Sequence, residues 1–300
     1  MSVLVKTPGP LTTVQDEGRF FYQSSGIRPS GVMDGAAYEA ANALVGNAKG
    51  EAVLEMTFLG AMLEFQSAAW FALTGADMQA KLDGVPVERY RAVKAEAGQT
   101  LAVGMAATGC RGYLAVRGGF DVPLVMGSRS TDVSAKLGGF EGRALKAGDV
   151  LPTPAADDWT PTDLCYEPPV YESEITVRVV PGPQEEYFTA AGVDTFFSAV
   201  YEISPNSDRM GLRLDGPEIE SISGMDIVSD GIVFGSIQVP SGGVPIILMA
   251  DHQTAGGYAK IGTVLSFDLP KLAQARPGDT VRFVRISAED AQALYDTTLC

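Results

Sequence analysis

The sequence predicts a mostly β chain with a few short helices, and three observations carry that expectation. Its apolar residues fall in short segments, many of them β-branched or aromatic, whose lengths suit strands. The 34 glycines and 18 prolines lie between those segments along the whole chain and supply turns. Only a handful of stretches repeat their apolar residues with a helical period.

The expected strands run in order through 62–65, 69–73, 100–103 and 113–116, then 176–180, 246–250, 263–267 and 281–286. Cys110 sits in a strand-like stretch and reads as a small apolar residue. A helix is expected over 34–45, where Asp34 can cap the N-terminus and Ala37, Ala40, Ala41, Leu44 and Val45 form one stripe. Gly46-Asn47 ends it. A second helix is expected over 287–299, with Ser287 as its cap and Glu289 and Asp290 in the first turn. Shorter ones are expected over 185–191 and 269–274.

Between 152 and 172 the composition changes. Pro152, Pro154, Pro161, Pro168 and Pro169 alternate with Asp157, Asp158 and Asp163, which reads as an extended, solvated connector. The expected organisation is a domain over 1–152, a connector over 153–172 and a second domain over 173–300. Gly148-Asp149 near the end of the first part is echoed by Gly278-Asp279 in the second, and more weakly by Gly98-Gln99. The echo fits an internal duplication and equally fits turns that recur in any β protein.

Bulk properties exclude several functions. Lys and Arg number 22 against 37 Asp and Glu, a net charge of −15, which repels a phosphate backbone and speaks against nucleic acid binding. The cysteines, Cys110, Cys165 and Cys300, are odd in number and far apart, so neither a disulfide framework nor a Cys-x-x-Cys site is expected. No apolar run is long enough to span a bilayer, and the stretch after Met1 is too short for a signal core. The expectation is a cytoplasmic protein that does not bind membranes. No Gly-x-Gly, Gly-Lys or Gly-x-Ser-x-Gly occurs, which removes the dinucleotide fingerprint, the phosphate loop and the hydrolase elbow. The single histidine, His252, leaves no His-rich metal site.

Chemistry concentrates where apolar strands run into polar residues. The densest segment follows 246–250: Asp251, His252, Gln253 and Thr254, then Gly256-Gly257, Tyr258 and Lys260. A glycine pair lets backbone approach a ligand closely, and functional groups cluster at the rims of β scaffolds. If the backbone stays extended there, Asp251 and Gln253 face one way and His252 the other. A second segment gathers Ser207, Asp208 and Arg209 around a turn, where Arg209 can hold a carboxylate or phosphate with two hydrogen bonds. A third carries Gln15, Asp16 and Arg19, and a fourth Ser128, Arg129, Ser130 and Asp132. By composition alone a charged turn is the better explanation of these last three.

Taken in order, the motifs resemble one family. They are Thr13-Val14-Gln15-Asp16 with Gly18-Arg19, Gly31 with Met33-Asp34, and Ala41-Asn42 with Leu44-Val45-Gly46-Asn47. Leu73-Thr74-Gly75-Ala76-Asp77, Gly127-Ser128-Arg129-Ser130-Thr131-Asp132 and Pro181-Gly182-Pro183-Gln184 follow. Ser207-Asp208-Arg209-Met210-Gly211, Gly235 with Ile237-Gln238-Val239-Pro240, and Asp251 with Gln253-Thr254 and Gly256-Gly257-Tyr258 complete the series. The series is similar to the second-subunit family of allophanate-hydrolase-like proteins, also called the biotin-dependent carboxyltransferase family. The similarity covers nearly the whole chain.

The resemblance implies two cyclophilin-like β-barrel domains. Its free-standing branch implies membership of an ATP-dependent 5-oxoprolinase complex with partner subunits A and B, which opens 5-oxo-L-proline to L-glutamate. ATP with Mg2+ would act at the level of the complex. One alternative is the carboxyltransferase subunit of a biotin-dependent urea carboxylase-like or allophanate hydrolase-like enzyme, and only there would biotin be the cofactor. The other is a non-catalytic binder that antagonises a kinase inhibitor. A lactam is a poor electrophile, and phosphorylating its oxygen creates a leaving group, so donors must cradle phosphate and carboxylate. Residue chemistry and family motifs together nominate Asp251, Gln253, Lys260 and Arg209 as catalytic. They nominate Ser207, Gln238, Thr254, Tyr258, Gln15, Asp16, Arg19 and Arg129 for the amide or lactam substrate. No metal ligand set is expected.

Overall fold

The computed structural model describes residues 1–155 and 158–298, the last two by backbone alone. Asp157 of the expected connector, Leu299 at the expected end of the last helix, and Cys300 lie outside the described residues. The chain is mostly β, as the sequence predicts. It divides into two units: Met1–Phe21 with Pro29–Tyr171, and Tyr22–Arg28 with the chain from Glu172 onward.

The first unit holds β1 (Ser2–Thr7), β2 (Thr12–Gln15), β3 (Val53–Thr57), β4 (Met62–Phe65), β5 (Ala69–Asp77), β6 (Lys81–Leu82), β7 (Val85–Pro86), β8 (Ala92–Ala95), β9 (Thr100–Ala102), β10 (Thr108–Val116) and β11 (Val150–Pro152), with helix α1 (Gly35–Leu44). A six-stranded sheet runs β11-β1-β4-β9-β6-β7 and a five-stranded sheet runs β2-β3-β10-β5-β8. Leu54, Phe71, Leu73 and Leu114 of the second sheet share one core with Val3, Val5, Leu63 and Leu101 of the first. Their neighbours Val53, Ala72, Tyr113 and Ala115 point to the other face and pack on Ala37, Tyr38, Ala41 and Leu44 of α1. The five-stranded sheet is thus covered on both faces, which is why its central strands read as unbroken apolar runs.

The helix forms where expected. Asp34 Oδ1 accepts from Ala37 N at 3.0 Å, and Gly46 ends it in the left-handed region at φ +65°. Gly46 N donates to Ala43 O and Asn47 N to Asn42 O, which closes the last carbonyls.

The second unit holds β12 (Glu174–Pro181), α2 (Ala190–Ser198), β13 (Tyr201–Ile203), β14 (Gly211–Asp215), β15 (Asp226–Gly231), β16 (Ser236–Gln238), β17 (Ile246–Leu248), β18 (Ala255–Tyr258), β19 (Lys260–Val264), α3 (Leu269–Ala273), β20 (Thr280–Arg285) and α4 (Ala288–Thr298). Seven strands close a barrel in the order β12-β19-β16-β17-β14-β13-β20, while β15 and β18 form a separate ribbon. Burial alternates along β12 and β20, with Ile175, Val177, Val179, Val281 and Phe283 inward. Phe196 of α2 stacks on Phe283 at 4.4 Å between ring centroids.

Two expectations shift. The segment 263–267 is not one strand: β19 ends at Val264 and a 3-10 turn spans Ser266–Asp268. Asp268 closes that turn, and Arg178 and Lys271 hold its buried carboxylate. The helix expected over 185–191 is a 3-10 turn over Glu185–Tyr187 followed by α2 from Ala190, capped by Thr189.

Candidate functional site

The second unit gathers most of the expected site residues around two strand ends. Two backbone bonds stitch the 204–211 turn to the end of β17: Met249 N donates to Met210 O and Asp251 N to Arg209 O. The side chains follow the same seam. Arg209 Nε and Nη2 reach the two carboxylate oxygens of Asp251 at 2.9 and 3.2 Å, with both residues buried. Neither forms a self-contained surface turn. Asp208 instead holds its own loop by accepting from Met210 N and Gly211 N. Ser207 Oγ donates to Arg213 O and accepts from Arg213 N, so this hydroxyl braces the same loop.

The backbone does not stay extended beyond β17. His252 N donates to Met249 O, making a turn, and the alternation expected for Asp251 and His252 is lost. Arg28, from the Tyr22–Arg28 segment of the same unit, donates from Nη1 to the Asp251 carbonyl at 2.9 Å. His252 is buried, with Nδ1 2.7 Å from the Gln253 carbonyl. Burial above all, with the charge of Arg28 added, pushes the imidazole below its ordinary range, while Asp251 and the Gln253 carbonyl pull the other way.

A row of amides adjoins this turn. Gln253 Nε2 donates to Gln238 Oε1, and Gln238 Nε2 to Tyr258 O, each at 3.4 Å. Gly256 makes room for them: a Cβ there would stand 2.6 Å from Gln238 Nε2 and 2.6 Å from Ile232 Cδ1. Thr254 contributes its carbonyl, which accepts from Ile232 N, and Tyr258 is partly exposed. At the end of the row Lys260 is buried, and its Nζ lies 2.7 Å from Asp230 Oδ2 on β15. Gln184 Oε1 accepts from Lys260 N and its Nε2 donates to Asp230. The Lys260 hydrogen bond, followed by that of Gly231 N, holds the Asp230 carboxyl below its ordinary range.

The remaining expected residues lie in the first unit. Asp16 is almost fully buried and accepts from Ser128 Oγ, Ser130 Oγ, Gly18 N and Arg129 N. Arg19 donates to the carbonyls of Ser130 and Val125, and Arg129 Nε to that of Val122. Gln15 Nε2 donates to Thr131 O and Thr13 Oγ1. These hydrogen bonds tie the loops 16–19 and 128–131 together, while Arg129 Nη1 lies 3.7 Å from Glu51 Oε2 and the buried Gln15 Oε1 accepts none.

Sequence reasoning missed Arg28 and Asp230. Arg28 stands within a loop of small and polar residues with no motif of its own, and Asp230 sits in a ribbon no periodicity marked. Gln184 stands in one of the ordered motifs, yet nothing in its spacing pointed to Lys260.

The residue types suit an amide or carboxylate: neutral donors and acceptors in a row, bounded by ion pairs. Arg209 and Lys260 each already hold a carboxylate. Among the described residues no three His, Cys, Asp or Glu gather closely enough to hold a metal ion, and no helix is long and apolar enough to cross a membrane.

Comparison with known proteins agrees with the motif order. Residues 25–285 match the family model "Carboxyltransferase domain, subdomain A and B". The chain is 40% identical to the C subunit of the 5-oxoprolinase of Escherichia coli K12 over 283 residues, 94% of this chain and 91% of that one. It is 33% identical to the urea amidolyase of Lachancea kluyveri over 98% of this chain, but spans only 17% of that protein. The crystal structure of Kluyveromyces lactis urea carboxylase superposes with a TM-score of 0.91 at 30% identity, covering 99% of this chain and 28% of that one.

Proposed function

Because the chain belongs to the carboxyltransferase-domain family, subdomains A and B, we propose that it is a subunit of an ATP-dependent 5-oxoprolinase whose amide row handles the lactam. The observation that carries this reading is the row itself: Gln238, Gln253 and the Lys260–Asp230 pair around Gly256, in a chain that aligns almost end to end with a 5-oxoprolinase component. A lactam presents one carbonyl and one N–H. Primary-amide side chains complement both, and a buried ammonium next to them offsets charge that develops on the lactam oxygen. Ring opening adds one water across the C–N bond, and ATP hydrolysis elsewhere in the assembly drives it.

In this reading Arg209 and Asp251 act by fixing the turn that carries Gln253, and Ser207 by bracing the loop beside it. Gln15, Asp16, Arg19 and Arg129 hold the loops of the first unit. Thr254 and Tyr258 edge the row. ATP acts at the level of the complex, with partner chains such as the A and B subunits that the family resemblance implies.

The test is reconstitution. The chain, its partner subunits, ATP and 5-oxo-L-proline should release L-glutamate, and omitting the chain or replacing Lys260 with Met should lower release by ~100-fold or more. Undiminished release without the chain would overturn the proposal. A second reading, carboxyl transfer to a urea-type amide, draws on the likeness to urea carboxylase. It requires that carboxybiotin replace ATP as the co-substrate in the same assay.

A further inference from the structure

The outer face of the first unit's six-stranded sheet carries a groove that shares no residue with the amide row. Four residues cross it in one line, each paired with the next across the ladder. Thr7 of β1 pairs with Met62 of β4, Met62 with Ala102 of β9, and Ala102 with Lys81 of β6. Their chain neighbours Leu63, Leu101 and Leu82 belong to the core or pack on it, so the line faces outward. Leu59 and Gly60 of the β3–β4 turn bound the groove together with Val103 and Gly104 after β9. Gly60 N donates to Gly104 O and Val103 N to Ala61 O, which ties these walls to each other. A Cβ on Gly60 would overlap the Val103 side chain, so only glycine allows that approach. The groove holds about 470 Å³, within the range of small-molecule sites.

We propose that this groove binds an aliphatic monocarboxylate, with its chain along Met62 and Ala102 and its carboxylate on Lys81. The apolar lining is Leu59, Met62, Ala102 and Val103, and among the described residues no aromatic ring lines it. Leu59 is 39% and Met62 37% exposed, which leaves apolar surface for a ligand to cover, and methionine adapts its shape to a flexible chain. Lys81 is the one charged residue of the described lining. Among the described residues no carboxylate pairs with it, although the chain carries a net charge of −15. Lys6, on the same sheet, holds Glu64 at 3.1 Å. A cation without a counter-charge at one end of an apolar groove selects an anion with an apolar body. A single ammonium suits a singly charged head group. Gln79, two residues before Lys81, lines the same groove and brings a second donor to the carboxylate. Three strand spacings separate Thr7 from Lys81, roughly 14 Å, which is about the reach of decanoate.

The probes are decanoate, decanol and decylammonium, each kept below the concentration at which it aggregates. The readout is the 13C-methyl spectrum of the methionine-labelled chain, with Met62→Leu identifying the Met62 signal. Decanoate should shift that signal and bind ~5-fold tighter than decanol, with decylammonium weakest. Lys81→Met keeps an apolar stem without the charge and should bring decanoate down to the level of decanol. Lys81→Glu should reverse the order, so that decylammonium binds better than decanoate. Lys81 is exposed, and both variants should fold. An unmoved Met62 signal, equal affinity for the three probes, shifts spread over the methionines of both units, or an order that Lys81→Glu leaves unchanged would overturn the inference. A Met62 signal that moves only in the reconstituted complex would overturn it too, and would make the groove a subunit interface. Each of these outcomes leaves the 5-oxoprolinase reading standing, because its own test is glutamate release.

Discussion

At the residue scale, Arg209 and Asp251 are each about nine-tenths buried as side chains, so removing one leaves an ion without its counter-charge. Either Arg209→Ala or Asp251→Ala should destabilise the chain by about 3–5 kcal/mol. Replacing both, as Arg209→Met with Asp251→Leu, should cost clearly less than the sum, because no charge is then stranded. Urea denaturation of the three variants checks this, and strict additivity would show that the pair is not coupled. Gly256 makes a different kind of demand. A methyl group there meets only the ends of the Gln238, Ile232 and Gln253 side chains, which can shift, so Gly256→Ala should cost about 1 kcal/mol and push Gln238 away from Gln253. A full-strength lactam affinity in that variant would separate the amide row from binding.

At the element scale, α1 was legible because its signals are local. A cap, an alanine-rich stripe and a left-handed glycine all lie within fourteen consecutive residues, 34–47. Asp34→Ala should remove the hydrogen bond to Ala37 N and cost about 1 kcal/mol in urea denaturation. Helix α2 was not legible. Its sequence holds Gly192, Val193 and Thr195, poor helix formers, and its stability rests on Phe196 stacking against Phe283 from a strand far along the chain. The three echoed turns prove alike in detail. Glu96, Lys146 and Arg276 each donate their N–H to the side chain of Gln99, Asp149 or Asp279, across a glycine at φ +86°, +92° or +91°. A side-chain oxygen, amide in one turn and carboxylate in two, gives the same turn whether the strands that follow enter an open sheet or a closed barrel.

At the scale of the whole molecule, acid should act in two stages. Above about pH 6.5 His252 is uncharged both folded and unfolded. As pH falls below that, the unfolded chain takes the proton first, because burial holds the folded imidazole lower, and stability declines until the folded group also titrates. Asp149 and Asp268 act later. Arg143 holds the first carboxyl low, and for the second the hydrogen bonds from Arg178 and Lys271 outweigh burial. Their contribution is present above about pH 4 and lost as pH falls through their lowered values. Urea midpoints from pH 8 to pH 3 should therefore fall in two steps, and His252→Asn should remove the upper one.

Short apolar runs broken by glycine and proline were enough to establish a mostly β chain, and ordered motifs were enough to indicate its family. Local signals sufficed because turn and cap chemistry depends on neighbours in sequence. The partners of the site residues were another matter. Whether Asp16 holds the loops of one unit, whether Asp251 holds Arg209, and whether Arg28 and Asp230 belong with them depended on contacts 30 to 223 residues apart in the chain. Strand pairing and barrel closure alone bring such residues together. Composition and spacing do not encode that register, so only the tertiary structure decided which charges meet.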